Sequence, residues 1–149
     1  MLTIQVNEEF VEDAASLAES ILASIADAVI YAGATGRIRR WNPAAADLFG
    51  YSPTEAFGRS LDLIIPEPLR AEHWRGFEAA MASGAMRLQG RPTLTRATHS
   101  TGRKLDVEMT FALVGGRAGV AARGAVAVAR DATDGIERQR ADARRDRGR

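Results

Sequence analysis

Apolar residues recur every three or four positions from Phe10 through Ala14, Leu17 and Ile21 to Ile25, which predicts a helix with one apolar stripe. Asn7 stands ahead of it as an N-cap, with Glu8 and Glu9 in the first turn, where the helix dipole favours anions. Residues 27–32 then read as a short strand, Gly33 to Gly36 as a turn, and Arg37 to Trp41 as the second strand of a hairpin. Asn42-Pro43 opens a short helix that Gly50 closes, and Ser52 with Glu55 three residues on forms a capping-box pattern. After Pro66 and Pro68 a longer helix is predicted over about 69–83, ended by Gly84.

The second half is strand-rich. A mixed strand spans about 87–98, and Thr101-Gly102 makes a turn. Leu105, Val107, Met109, Phe111 and Leu113 then alternate with Asp106, Glu108 and Thr110, the clearest period of two in the chain. Gly115-Gly116 turns into a last strand over about 119–129, made almost entirely of Ala, Val and Gly, and a charged, helical segment starts at Thr133. Pro92, inside the 87–98 strand, places that strand at a sheet edge, since proline cannot donate to a ladder. This order of elements describes an α+β domain, an antiparallel sheet with helices on one face.

Composition changes that picture in two places. At 149 residues, 46% hydrophobic and 26% charged, the chain has the length and mix of one ordinary globular domain with helical extensions. It has no cysteine, which excludes disulfides, thiolate metal sites and thiol nucleophiles. The net charge of +1 argues against a dedicated nucleic-acid binder, yet it hides an asymmetry. Residues 1–36 hold six acids and no Lys or Arg, whereas residues 130–149 hold seven Arg and five acids. No run reaches the roughly 18 apolar residues of a membrane span. The acidic start is the reverse of a signal peptide, so the expected location is the cytoplasm.

The stretch from Gly36 through Trp41-Asn42-Pro43 to Phe49-Gly50-Tyr51 resembles the front half of a PAS sensor domain. Glu55, Gly58 and Leu63-Ile64-Ile65-Pro66-Glu67 continue the pattern, and Thr101-Gly102 fits the late hairpin of that family. Arg130-Asp131-Ala132-Thr133 is similar to its Asp-x-Thr junction between sheet and signalling helix. The resemblance implies a five-stranded antiparallel PAS fold over 24–134. It also implies an amphipathic capping or dimerisation helix over 1–23 and a charged signalling helix or tail over 135–149. A homodimer through the flanking helices follows from it, with the stripe of Phe10, Leu17, Ile21 and Ile25 as the better surface, because Ile136 is the one large apolar residue after position 130. The other reading of that stripe packs the helix over its own sheet. Output is expected through a downstream signalling protein or an effector domain beyond Arg149. No Ser/His/Asp arrangement, phosphate loop or paired carboxylates stand out, so no enzymatic activity is expected.

Within that family, Pro66 to His73 resembles the corresponding stretch of the heme-PAS oxygen sensors of two-component histidine kinases. The histidine at this position is their proximal iron ligand, which implies b-type heme with His73 as axial ligand, reporting a gas or redox state. Helical spacing puts Leu69, His73, Phe77 and Ala80 on one apolar face. Leu88, Met109 and Phe111 fall on the apolar distal positions, Met109 as packing residue or sixth ligand. The distal arginine of those sensors falls on Thr93, with Arg91, two residues away on the same strand face, as the candidate substitute. Without it, oxygen should be held less well and CO or NO should gain weight. The alternatives are a cofactor-free dimerisation and interaction module, or a PAS domain holding a small apolar metabolite. A flavin–cysteine adduct is excluded, since there is no cysteine. Trp74 is expected at a helix–sheet or dimer contact or beside a cofactor, Trp41 in the core, His99 in solvent and Asn42 as a helix cap.

Overall fold

The computed structural model describes residues 2–87 and 90–148, without the side chains of 2–12 and 134–139. In chain order the elements are α1 (Leu2–Ser24), β1 (Ala28–Gly33), β2 (Ile38–Trp41), α2 (Pro43–Phe49) and α3 (Pro53–Ala56). A 3₁₀ turn (Leu61–Leu63), α4 (Glu67–Ser83), β3 (Thr93–Thr98), β4 (Lys104–Val114), β5 (Gly124–Asp131) and α5 (Thr133–Arg147) complete them. The five strands form one antiparallel sheet in the order β2-β1-β5-β4-β3.

Local chemistry explains most of these boundaries. Asn42 caps α2 by accepting from the Ala45 amide, and Gly50 ends it in the left-handed region. Ser52 and Glu55 make the reciprocal capping box of α3. Asp131 accepts from the Thr133 amide at 2.9 Å, and bonds from Thr133 hold its carboxyl below the usual carboxylate range. Leu105, Val107 and Met109 are buried while Lys104, Asp106 and Glu108 are not, so the period of two in β4 selects its core face. Around them Ile30, Ile38, Trp41 and Phe49 form the core, Trp41 donating its indole N–H to the Tyr51 carbonyl at 2.9 Å.

Four expectations shift. The first helix starts well before Asn7, which therefore lies inside α1 and is not its cap. The long helix begins at Glu67, because Pro68 is tolerated in a first turn. β3 starts only at Thr93, preceded by Gly90 at φ +72° and by Pro92, and it does lie at the sheet edge. The last strand starts at Gly124, because residues before it are bonded elsewhere: the Gly119 amide to the Ser83 carbonyl and the Ala122 amide to the Met81 carbonyl, both at 2.9 Å. Of the apolar stripe of α1, Leu17 is 59% and Ile21 51% exposed and so neither packs over the sheet, whereas Phe10 lies outside the described side chains. No helix among the described residues is long and apolar enough to cross a membrane.

Candidate functional site

α4 is tied down at both ends. At its start the Arg70 guanidinium donates to the carbonyls of Ile65 (3.0 Å) and Asp62 (3.3 Å), and the Trp74 indole N–H donates to Asp62 Oδ1 at 2.8 Å. At its far end the Met81 and Ser83 carbonyls hold the β4–β5 loop. Between these anchors Leu69, His73 and Phe77 face the sheet across a cavity of about 150 Å³. Its sheet wall includes Ile30, Ala32, Thr95, Met109, Phe111 and Ala127. Residues Leu61, Ile64 and Ile65 close one side.

His73 is the polar feature of this apolar space. Its ring stacks on Phe77 (centroids 5.9 Å apart, planes at 27°) and meets Trp74 edge-on at 4.8 Å. Its Nδ1 is buried and has no hydrogen-bond partner. Burial holds the imidazole below its ordinary value, with the Asp62 carboxylate pulling partly the other way, so the ring is neutral at pH 7. The folded protein therefore resists a proton that the unfolded chain accepts below about pH 6.5. Stability present above that pH is lost as pH falls towards the folded value. Urea titrations between pH 7.5 and 5 should show this loss, and His73→Phe should flatten the slope; an unchanged slope would deny that the ring is buried neutral.

The sequence-predicted residues divide cleanly. Leu69, His73, Phe77, Met109 and Phe111 are brought together around the cavity. Thr93 and Arg91 are not. Thr93 is half-buried at the first position of β3, opposite Met109, and does not reach the cavity wall. Arg91 is exposed and precedes β3, so it shares no strand face with Thr93 and does not border the cavity. Leu88 lies outside the described residues. Trp74 does not line the cavity either, but covers the β1–β2 turn so closely that a Cβ on Gly36 would overlap its ring. His99 is half-buried, its Nδ1 accepting from the Thr101 amide at 3.2 Å and lying 2.9 Å from the Thr101 hydroxyl.

Thr95 and the alanines of β1 and β5 were missed as site residues. Thr95, opposite the buried Val107, is a polar residue in a largely apolar lining. The alanines carried a signal, the Ala-rich last strand, which marks a sheet face too small to reach the helix above it. Arg96 also borders the cavity, but its guanidinium lies 3.7 Å from Asp106, its neighbour across the ladder on the other sheet face. Among the described residues no cluster of three or more His, Asp or Glu could hold a metal ion by itself.

Solved structures share this architecture. A PAS domain from Colwellia psychrerythraea superposes with TM-score 0.66 at 19% identity, covering 79% of this chain and 96% of that one. The PAS domain of an HTR-like protein from Haloarcula marismortui gives 0.62 at 21% identity, covering 85% and 98%. Among curated proteins, the sensor protein FixL of Bradyrhizobium diazoefficiens is 43% identical over 54 residues, which is 36% of this chain and 11% of FixL. The PAS fold family profile matches residues 16–132, so the sheet, α2 to α4 and the cavity between them all fall within the match, and the chain belongs to the PAS family.

Proposed function

We propose that this PAS domain is a sensor that reads the occupant of the α4–sheet cavity, most specifically a b-type heme with His73 as axial ligand. The observation that carries the reading is His73 itself, a neutral imidazole in an apolar space with a buried, unpartnered Nδ1. The local similarity to FixL supports the same cofactor. The donor chemistry fits; the volume is the constraint. Cofactor sites run to about 300–1,000 Å³, so a porphyrin requires α4 to stand further from the sheet than it does around the present 150 Å³. Leu69, Phe77, Met109 and Phe111 would wall it. Bound heme would supply an iron centre that responds to a gas or to redox state. The exposed Arg91 leaves the cavity without a free cation among its described lining, which favours CO or NO over oxygen.

Reconstitution with hemin tests this reading. A Soret band that survives desalting is expected, and His73→Ala should weaken hemin binding by about a hundredfold, the scale of losing an axial ligand or its support. No Soret band after reconstitution would remove heme and leave a heme-free sensory or interaction module. Output would pass to a downstream partner through the flanking helices.

The exposed Leu17 and Ile21 support a homodimer built on α1. Light scattering should give twice the chain mass, and Leu17→Glu with Ile21→Glu should halve it. A single-chain mass for the unmodified protein counts against the dimer.

A further inference from the structure

The cavity exists because of residues that are too small. β5 presents Ala125, Ala127 and Ala129 to the helical side, and register pairs Ala125 with Ala32 and Ala127 with Ile30 of β1. Inward positions of a buried sheet ordinarily carry branched or aromatic side chains that fill the space to the covering layer. Here the sheet wall stops at Cβ along much of two central strands, while both ends of α4 are fixed by hydrogen bonds to the body. The helix cannot sink to close the gap. An apolar space of this size stays open, and a 150 Å³ void lined by Leu, Ile and Phe takes up benzene.

Its chemistry is as specific as its size. One wall is aromatic and thioether, Phe77, Phe111 and Met109. Besides Arg96, whose guanidinium is directed to Asp106, the polar exceptions are the half-buried Thr95 and the His73 ring, whose buried Nδ1 lacks a partner. A guest that supplies that partner removes the cost of leaving a buried polar atom unpaired. An anionic guest gains nothing comparable, because Arg96 turns its guanidinium towards Asp106 and a buried charge would go uncompensated.

We infer that the cavity, as shaped here, is a binding site for a neutral single-ring hydroxy-aromatic compound, its ring against Phe77, Met109 and the β5 alanines and its hydroxyl on His73. This rests on the cavity being the sensory site and not on heme being its occupant. Because both guests need the same imidazole and the same space, each would exclude the other.

The test uses the full chain free of heme, titrated calorimetrically with phenol, toluene and benzoate. Phenol is expected to bind about tenfold more tightly than toluene, the scale of one added hydrogen bond, and benzoate not at all. His73→Phe should bring phenol down to toluene. Ala127→Phe should abolish binding by filling the space, and Ala127→Val, which a tight core tolerates more easily, should weaken it several-fold with the far-UV spectrum unchanged. Phenol that binds no better than toluene, or that binds the Ala127→Val protein as it binds the unmodified one, overturns the assignment. The hemin experiment is scored separately. Phenol affinity without a Soret band removes the heme reading and keeps this one, whereas a Soret band without phenol affinity does the reverse.

Discussion

Asn42→Ala should lower the unfolding free energy by about 3–4 kcal/mol and the thermal midpoint by roughly 10 °C. The side chain is 5% exposed and serves three elements at once. Its Oδ1 accepts from the Ala45 amide at 2.9 Å, capping α2, and from the Val29 amide at 2.8 Å, where β1 begins. Its Nδ2 donates to the carbonyls of Asp27 (3.0 Å) and Leu22 (3.1 Å), holding the end of α1 against the sheet. Losing the cap alone costs about 1 kcal/mol. The Val29 amide left unpaired in the interior adds about 1–3 kcal/mol, and the freed carbonyls contribute the rest. Asn42→Ser keeps a capping oxygen, so it should recover the capping share and nothing more. Amide exchange at Val29 should accelerate in both variants. A loss under about 1 kcal/mol in Asn42→Ala would reduce the residue to a helix cap and break the proposed link from the sheet to α1.

How far such features can be read from the sequence depends on whether their cause is local. The cap at Asn42, the box at Ser52 and Glu55, and the glycine stops at Gly50 and Gly84 are set within a few residues, and each stands where the pattern puts it. The other half of Asn42's work is invisible in the sequence, because Leu22 and Asp27 approach it only after α1 and β1 are placed. The boundary of β5 moved for the same reason. Ala122 and Gly119 read as strand, but their amides are taken by the end of α4, a pairing no local pattern announces.

The site follows the same rule. Helical spacing put Leu69, His73 and Phe77 on one face, and alternation put Met109 and Phe111 on another, since in both cases the period fixes the face; that Met109 and Phe111 border a site came from the PAS resemblance. Arg91 lies outside the cavity lining because β3, and with it the period of two, starts only at Thr93. The alanines of β5 were visible as a composition and unreadable as a site. A cavity is made by atoms that are missing, and it appears only once the opposite wall has been located.

The height of that opposite wall is what Gly84→Ala should disturb, with an expected loss of about 4 kcal/mol. Gly84 ends α4 at φ +71°, a conformation that costs an alanine roughly 1–2 kcal/mol. A Cβ there would also overlap the carbonyl oxygens of Val120 and Arg117, and backbone cannot rotate away as a side chain can. The loop must retreat, and the bonds from Gly119 to Ser83 and from Ala122 to Met81 go with it, each worth about 1 kcal/mol. Gly58 supplies the matched control. It sits at φ +78° with nothing within 4 Å of an added Cβ, so Gly58→Ala carries the conformational cost alone. Urea denaturation should therefore separate the two variants by about 2–3 kcal/mol at equal m-value. Phenol should bind the Gly84→Ala protein more weakly, because the far anchor of α4 is what keeps the helix standing over the small β5 face. Equal losses in the two variants would leave that end of α4 unlatched and the depth of the cavity without a cause.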